Sequence, residues 1–266
     1  VSDQPARLFE RSGVVAIAKP SGLATQAPPG LPSVEAWLRG LLPAGAYLGV
    51  PHRLDRAVTG VLLMATTPRA ARQLSRQFER RQITKTYVAI LAAGAATSPV
   101  AGAAVEWRDR IAKCPDVAEA RVVGADDPAG REAVTIARTL GEVTPGRWLV
   151  ELAPVTGRMH QLRVQAAARG MPVVGDTLYG GPALGGGPAL GGGPALGGGP
   201  ALGGGPAHEG GPALDDVDTA DRRRQPIALH ALSIRFRDPD TDEEVVVTAA
   251  LPPHWPAPAA ALLPAG

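Results

Sequence analysis

The segment Pro51-His52-Arg53-Leu54-Asp55-Arg56-Ala57-Val58-Thr59-Gly60-Val61-Leu62-Leu63-Met64 constrains this chain more than any other. It crowds two arginines around one carboxylate and then runs into an apolar stretch of strand length, Val61 to Ala65. Thr59-Gly60 punctuates the boundary, and the apolar run reads as a buried strand. Asp55 between Arg53 and Arg56 is expected to stay ionised, because nearby positive charge favours the charged form. Taken alone, an Arg-x-Asp-Arg cluster is more often a surface loop of solvated ion pairs.

Composition narrows the setting. The 266 residues allow one large domain or two small ones, with enough chain to bury a core. A single cysteine, Cys114, excludes an internal disulfide and a thiolate zinc cluster. The five histidines are too scattered for a metal-binding spacing, so no metal is expected. Val1 to Arg11 lacks the apolar core of a signal peptide, and no apolar run approaches the ~20 residues that span a bilayer. These features lead us to expect a cytoplasmic protein. A net charge of +2 permits a nucleic-acid partner without requiring one, so a local basic patch is the better indicator.

Along the chain, Val14 to Lys19 predicts a first strand, stopped by the turn Pro20-Ser21-Gly22. Ser33 to Gly40 predicts a short helix burying Val34 and Leu38. Thr67-Pro68 is an N-cap followed by proline at the first helical position, and a helix should run to Arg81. Ala71, Leu74 and Phe78 share its apolar face; Arg69, Arg72, Arg76 and Arg80 share the opposite one. That stripe is either a solvated surface or a phosphate-facing ridge. Ile83 to Leu91 predicts a strand containing Tyr87. Further strands are expected over Glu119 to Val123, Ala133 to Leu140, Trp148 to Leu152, Ile227 to Phe236 and Val245 to Leu251. Thr156 is placed to cap a helix running to about Arg169, with Met159, Leu162 and Ala166 on its apolar side.

Several of these segments together resemble the RluA-type pseudouridine synthases. His52-Arg53-Leu54-Asp55 followed by Thr59-Gly60 is similar to that family's catalytic motif, with Val58 and Thr59 where the family usually has Thr and Ser. Arg76-Gln77-Phe78 through Lys85-Thr86-Tyr87-Val88-Ala89 resembles its second motif. Thr156-Gly157-Arg158-Met159-His160-Gln161-Leu162-Arg163-Val164 and Gly170 to Gly180 resemble its later motifs, and Leu229-His230-Ala231 its late L-H-A. The resemblance implies an α+β pseudouridine-synthase fold: a mixed, largely antiparallel central sheet with flanking helices and an RNA-binding cleft. It also implies a cofactor-free isomerase that converts uridine to pseudouridine in structured ribosomal or transfer RNA. Asp55 is then the essential carboxylate, either attacking C1′ or removing the 2′ proton. Tyr87 lies against the base, and Arg163 pairs with Asp55. Arg53 fills the space left by a flipped nucleotide. His52, Arg56, Arg158 and His160, with the Arg69, Arg72, Arg76 and Arg80 stripe, complete the expected RNA contacts. A catalytically silent RNA-binding protein of this fold is the alternative; its mark would be loss of Asp55, Tyr87 or Arg163, and all three are present. The resemblance is to the short members without an N-terminal RNA-binding domain, and a monomer is expected.

From Gly185 the unit Gly-Gly-Gly-Pro-Ala-Leu repeats with a period of six. One leucine per unit cannot repay the ordering entropy, so 180–214 is expected to be a disordered insertion. Residues 1–179 and 215–255 then form a single catalytic domain, and 256–266 a flexible tail.

Overall fold

The computed structural model describes residues 4–94, 99–184 and 225–263. The hexapeptide repeat and Arg222-Arg223-Arg224 lie outside the described residues. Ten strands form one mixed sheet: β1 (Ala6–Arg11), β2 (Val14–Lys19), β3 (Thr59–Ala65), β4 (Thr84–Ala92), β5 (Ala104–Lys113), β6 (Ala120–Val123), β7 (Arg131–Thr144), β8 (Arg147–Pro154), β9 (Leu229–Arg237) and β10 (Glu244–Thr248). Their order is β1-β2-β3-β9-β4-β8-β7-β5-β6, with β10 also paired to β9. The described helices are α1 (Val34–Leu41), α2 (Pro68–Glu79), α3 (Gln161–Ala168) and α4 (Ala257–Ala261). The α+β, largely antiparallel sheet expected from the motifs is present; β3 with β9 is its parallel pairing.

Val14 to Ala18 of β2 and Val61 to Ala65 of β3 are continuously apolar because both faces of this part of the sheet are covered. Val15, Ile17, Leu62 and Met64 join the main core with Val34 and Leu38 of α1. The alternate residues Val14, Ala16, Val61 and Leu63 pack with Ala70 and Leu74 of α2 in a second core. Thr67 caps α2 by accepting the Ala70 amide at 3.1 Å, a contact worth about 1 kcal/mol.

The junction of β3 with β9 decides where the loop before β3 ends. Thr59 and Gly60 pair with His230 and Ala231. A Cβ on Gly60 would lie 2.2 Å from the Ala231 carbonyl oxygen, and its φ of +113° is unfavourable for any other residue. Thr59 Oγ1 meets His230 Nδ1 at 2.8 Å. The Thr59-Gly60 and Leu229-His230-Ala231 segments, 171 residues apart at Thr59 and His230, are one packing unit.

Five local readings are corrected. The polar N-terminal stretch forms an edge strand, β1, since its backbone pairs with β2 although its side chains stay mostly exposed. α2 is turned relative to the predicted face, burying Ala70, Leu74 and Gln77. Gln77 tolerates this because its amide both donates to the Arg237 carbonyl and accepts the Arg237 amide, at 2.9 and 2.8 Å. α3 starts at Gln161, not near Thr156, whose hydroxyl is taken by the Val134 amide and Gln161. The tail is not wholly loose: Ala259 of α4 is buried, and Leu262 and Leu263 pack on the main core. At the other boundary, Leu184 also packs on that core, so 180–184 belong with the folded body.

Candidate active site

A cleft of about 1140 Å³ opens over one end of the sheet, lined by residues from 24–26, 51–58, 78–87 and 153–163. Asp55 stands in it with its side chain one-third exposed (34%). The loop carrying Asp55 is clamped from below by the turn after β2. Buried Thr25 accepts the Leu54 amide at 3.1 Å and donates to the Leu54 carbonyl at 3.0 Å. Ser21 donates to the Ala57 carbonyl, and the Gly22 amide to Arg56. Lys19 Nζ donates to the carbonyls of Pro20, Leu23 and Arg56 at 2.7, 2.7 and 3.0 Å. Burial pushes the Lys19 ammonium down to about 7, while the charge of Asp55 opposes that fall. Three carbonyls accept all the protons an ammonium carries, which favours the charged form against the burial effect.

Arg163 reaches the cleft from α3 and is almost fully buried. Its Nε and one terminal nitrogen donate to the two oxygens of Asp176 at 2.7 Å each, and the other terminal nitrogen lies 3.4 Å from Asp55. The expected Arg163–Asp55 contact exists, but the bidentate partner is Asp176, itself buried and unassigned by the sequence reading. Burial works against the Arg163 charge, yet the hydrogen bond to Asp176 holds its pKa above the ordinary value. A planar fork fixed on one carboxylate presents its remaining N–H groups in a set direction, here towards Asp55.

His160 occupies the left-handed region (φ 51°) immediately before α3. Its Nδ1 lies 2.7 Å from Tyr179 Oη, and that oxygen accepts the Ala120 amide at 2.9 Å. The other ring nitrogen, Nε2, lies 3.8 Å from Asp55. Burial lowers the His160 pKa more than Asp55 raises it, which favours a neutral ring beside the carboxylate over a charged partner.

Tyr87 enters from β4, with β9 alone between it and β3, so two strand spacings, about 10 Å, separate β4 from the strand that follows Asp55. The β4–β9 register shifts between Thr86 and Tyr87; the extra residue, Leu232, lies on β9, so β4 keeps its own alternation. Burial first, and the Asp55 charge second, raise the Tyr87 phenol above its ordinary pKa. Tyr87 therefore faces the cleft as a protonated phenol.

The remaining predicted contacts divide. Arg53, Arg56 and Arg158 line the cleft, with Arg158 also donating to the Glu132 carbonyl at 2.9 Å. His52 lines it too, but the expected RNA contact is offset by a structural one. Its Nε2 accepts the Leu63 amide at 2.9 Å, its ring packs on Phe78, and burial pushes it down to about 3. The stripe Arg69, Arg72, Arg76 and Arg80 is exposed and lines no part of the cleft; Arg69 is paired with Asp240 at 2.9 Å. The residues of α2 and its end that do reach the cleft are Phe78, Glu79 and Arg81. Arg81 holds a φ of 56°, where a residue other than glycine costs about 1–2 kcal/mol.

Lys19, Lys85, Asp176 and Tyr179 were not assigned roles from sequence, although the last three fall within segments that resemble the family. The signal was present but unresolved into partners. Lys113, also in the cleft, had no signal in its local sequence. Seven lysines and arginines line the cleft (Arg53, Arg56, Arg81, Lys85, Lys113, Arg158, Arg163) against two acids, Asp55 and Glu79. The whole chain is almost balanced at 27 against 25, so positive charge is concentrated here. Among the described residues no group of three or more His, Cys, Asp or Glu could hold a metal.

Comparison with known proteins identifies the family. Residues 13–168 match the family described as RNA pseudouridylate synthase. Over 174 residues the chain is 34% identical to the ribosomal large subunit pseudouridine synthase C of Rickettsia bellii (strain RML369-C), covering 65% of this chain and 56% of that one. It is 32% identical over 178 residues to the dual-specificity RNA pseudouridine synthase RluA of Yersinia pestis, covering 66% and 82%. The chain thus spans little more than half the length of the first of these relatives. In fold it is similar to human RNA pseudouridylate synthase domain containing 1, with a TM-score of 0.64 at 22% identity over 94% of this chain and 84% of that one. The chain belongs to the RNA pseudouridylate synthase family, in its RluA-type branch.

Proposed function

We propose that this protein isomerises uridine to pseudouridine in structured RNA without a cofactor. The observation that carries the reading is the convergence of Asp55, Tyr87 and the His160–Arg163 pair from three separated segments on one strongly positive cleft. Asp55 is the exposed carboxylate of the group, and it engages the ribose, by attack at C1′ or removal of the 2′ proton. The C–N bond breaks, the uracil turns within the site, C5 joins C1′, and the C5 hydrogen leaves as a proton. Arg163, locked on Asp176, and neutral His160 orient Asp55. Tyr87 meets the detached base as a protonated phenol, suited to hydrogen bonding and contact rather than to acting as a standing phenolate base. Arg53, exposed at the cleft, takes the space of the flipped nucleotide.

By analogy with the relatives' names we propose large-subunit ribosomal RNA as the first substrate to test, and transfer RNA as the second. We further read the folded body as one catalytic domain acting as a monomer in the cytoplasm. The test uses RNA tritiated at uridine C5, offered as separate ribosomal and transfer RNA pools. Joining C5 to C1′ must expel that hydrogen, so tritium release reports the reaction. Release from one pool, lost in Asp55→Ala, is expected; release that survives that substitution would overturn the mechanism.

A further inference from the structure

We propose that Lys85 and the backbone amide of Gly157 form a seat for one phosphate of the bound RNA, an inference that rests on the functional reading above. Lys85 lies two residues before Tyr87 on β4, so both side chains leave the same face of the strand and both line the cleft. The contrast with Lys19 is informative. Lys19 is buried with three carbonyl acceptors. Lys85 has neither a hydrogen bond nor an ion pair among the described residues, although burial lowers its pKa. A partly desolvated ammonium without an acceptor is a place where an anion gains most.

Gly157 supplies the second half. A Cβ built there would have Lys85 Nζ as its nearest neighbour, at 3.9 Å, and its φ lies outside the left-handed region. The backbone alone therefore does not demand glycine; the missing side chain leaves space against the ammonium. The flanking amides are all used: Val155 and Thr156 donate to the Val134 carbonyl at 2.9 and 3.3 Å, and Arg158 to Gln161 Oε1 at 3.0 Å. The Gly157 amide has no acceptor among the described residues. A rigid backbone donor beside a compact cation suits a phosphodiester oxygen. Beside Tyr87, such a seat would set which nucleotide meets the phenol, a positioning contact without base information.

The test measures binding of an unmodified large-subunit ribosomal RNA transcript over a salt series, in full-length protein carrying Asp55→Ala to prevent turnover. Lys85→Met should lower the slope of log K against log salt by about 0.7–0.9, the share of one phosphate contact, and weaken binding several-fold. Lys85→Arg should restore the slope. Gly157→Ala should weaken binding while leaving the melting temperature unchanged, because its Cβ meets only ordinary contacts. Arg7→Met, on the edge strand, is the charge control and should change neither. A folded Lys85→Met variant with the parental slope would overturn the seat. Tritium release by the Asp55-intact protein reports the functional reading separately, so release alongside an unchanged slope would retire the seat alone. Failure of the parent to bind the RNA, together with no tritium release from either the ribosomal or the transfer RNA pool by the Asp55-intact protein, would overturn both.

Discussion

Two groups of arginines invite the same interpretation from sequence and have opposite surroundings in the structure. Arg163 is buried, held through Nε and one terminal nitrogen by Asp176, and aimed with the other terminal nitrogen at Asp55. Arg69, Arg72, Arg76 and Arg80 stand on the solvent side of α2, and Arg69 is engaged by an exposed acid of the β9–β10 turn. Both groups carry full charge. What separates them is whether the guanidinium is taken from water and given a fixed partner. A buried pair is costly to break, because the survivor is left uncompensated, while an exposed pair contributes about 0–1 kcal/mol.

The contrast can be broken most sharply at Asp55 and Asp176. Asp55→Ala should lower tritium release by roughly three orders of magnitude with little change in melting, since the side chain is partly exposed. Asp176→Ala should cost about 3–5 kcal/mol of stability by stranding the Arg163 charge, and activity should fall with it. Denaturant melts check this directly. A small loss there would mean that water or Asp55 compensates Arg163, and the distinction drawn here would fail.

A smaller effect concerns pH. His52, pushed to about 3, and His230, pushed to about 4, are neutral in the folded protein, whereas unfolded histidine titrates near its ordinary value. The unfolded chain therefore binds more protons in that window, so stability should fall as pH drops from about 6.5 towards 3. For His52 there is a local cause, because protonating Nε2 removes the acceptor of the Leu63 amide. His52→Gln should flatten part of the dependence in melts run from pH 7 to pH 4. An unchanged slope would place the proton uptake elsewhere.

The smallest effect is expected at the ridge. Arg72→Ala and Arg76→Ala should each change stability by no more than about 0.5 kcal/mol. Their effect on RNA affinity should be smaller than that of Lys85→Met. An equal loss would extend the RNA path over α2 and sharpen the comparison, making exposure there functional.

Local chemistry alone determined a good deal. The apolar runs Val14 to Ala18 and Val61 to Ala65 read as buried strands, and Thr67-Pro68 as the start of a helix, because these readings depend on near neighbours in the chain. Asp55, Tyr87 and Arg163 were legible as a set through resemblance, and they do converge. The partners were not legible. That Asp176 rather than Asp55 takes the fork of Arg163, that Tyr179 orients His160, and that His52 is spent on Leu63 all depend on distances between segments that no spacing encodes. The same holds for Gly60. Its glycine reads locally as a turn signal, yet the reason for it is a carbonyl of β9 lying where a side chain would be. Sequence determines which groups are available and which segments must be buried. Tertiary packing decides which group faces which, because desolvation and hydrogen-bond satisfaction are settled only when distant segments exclude water from one another.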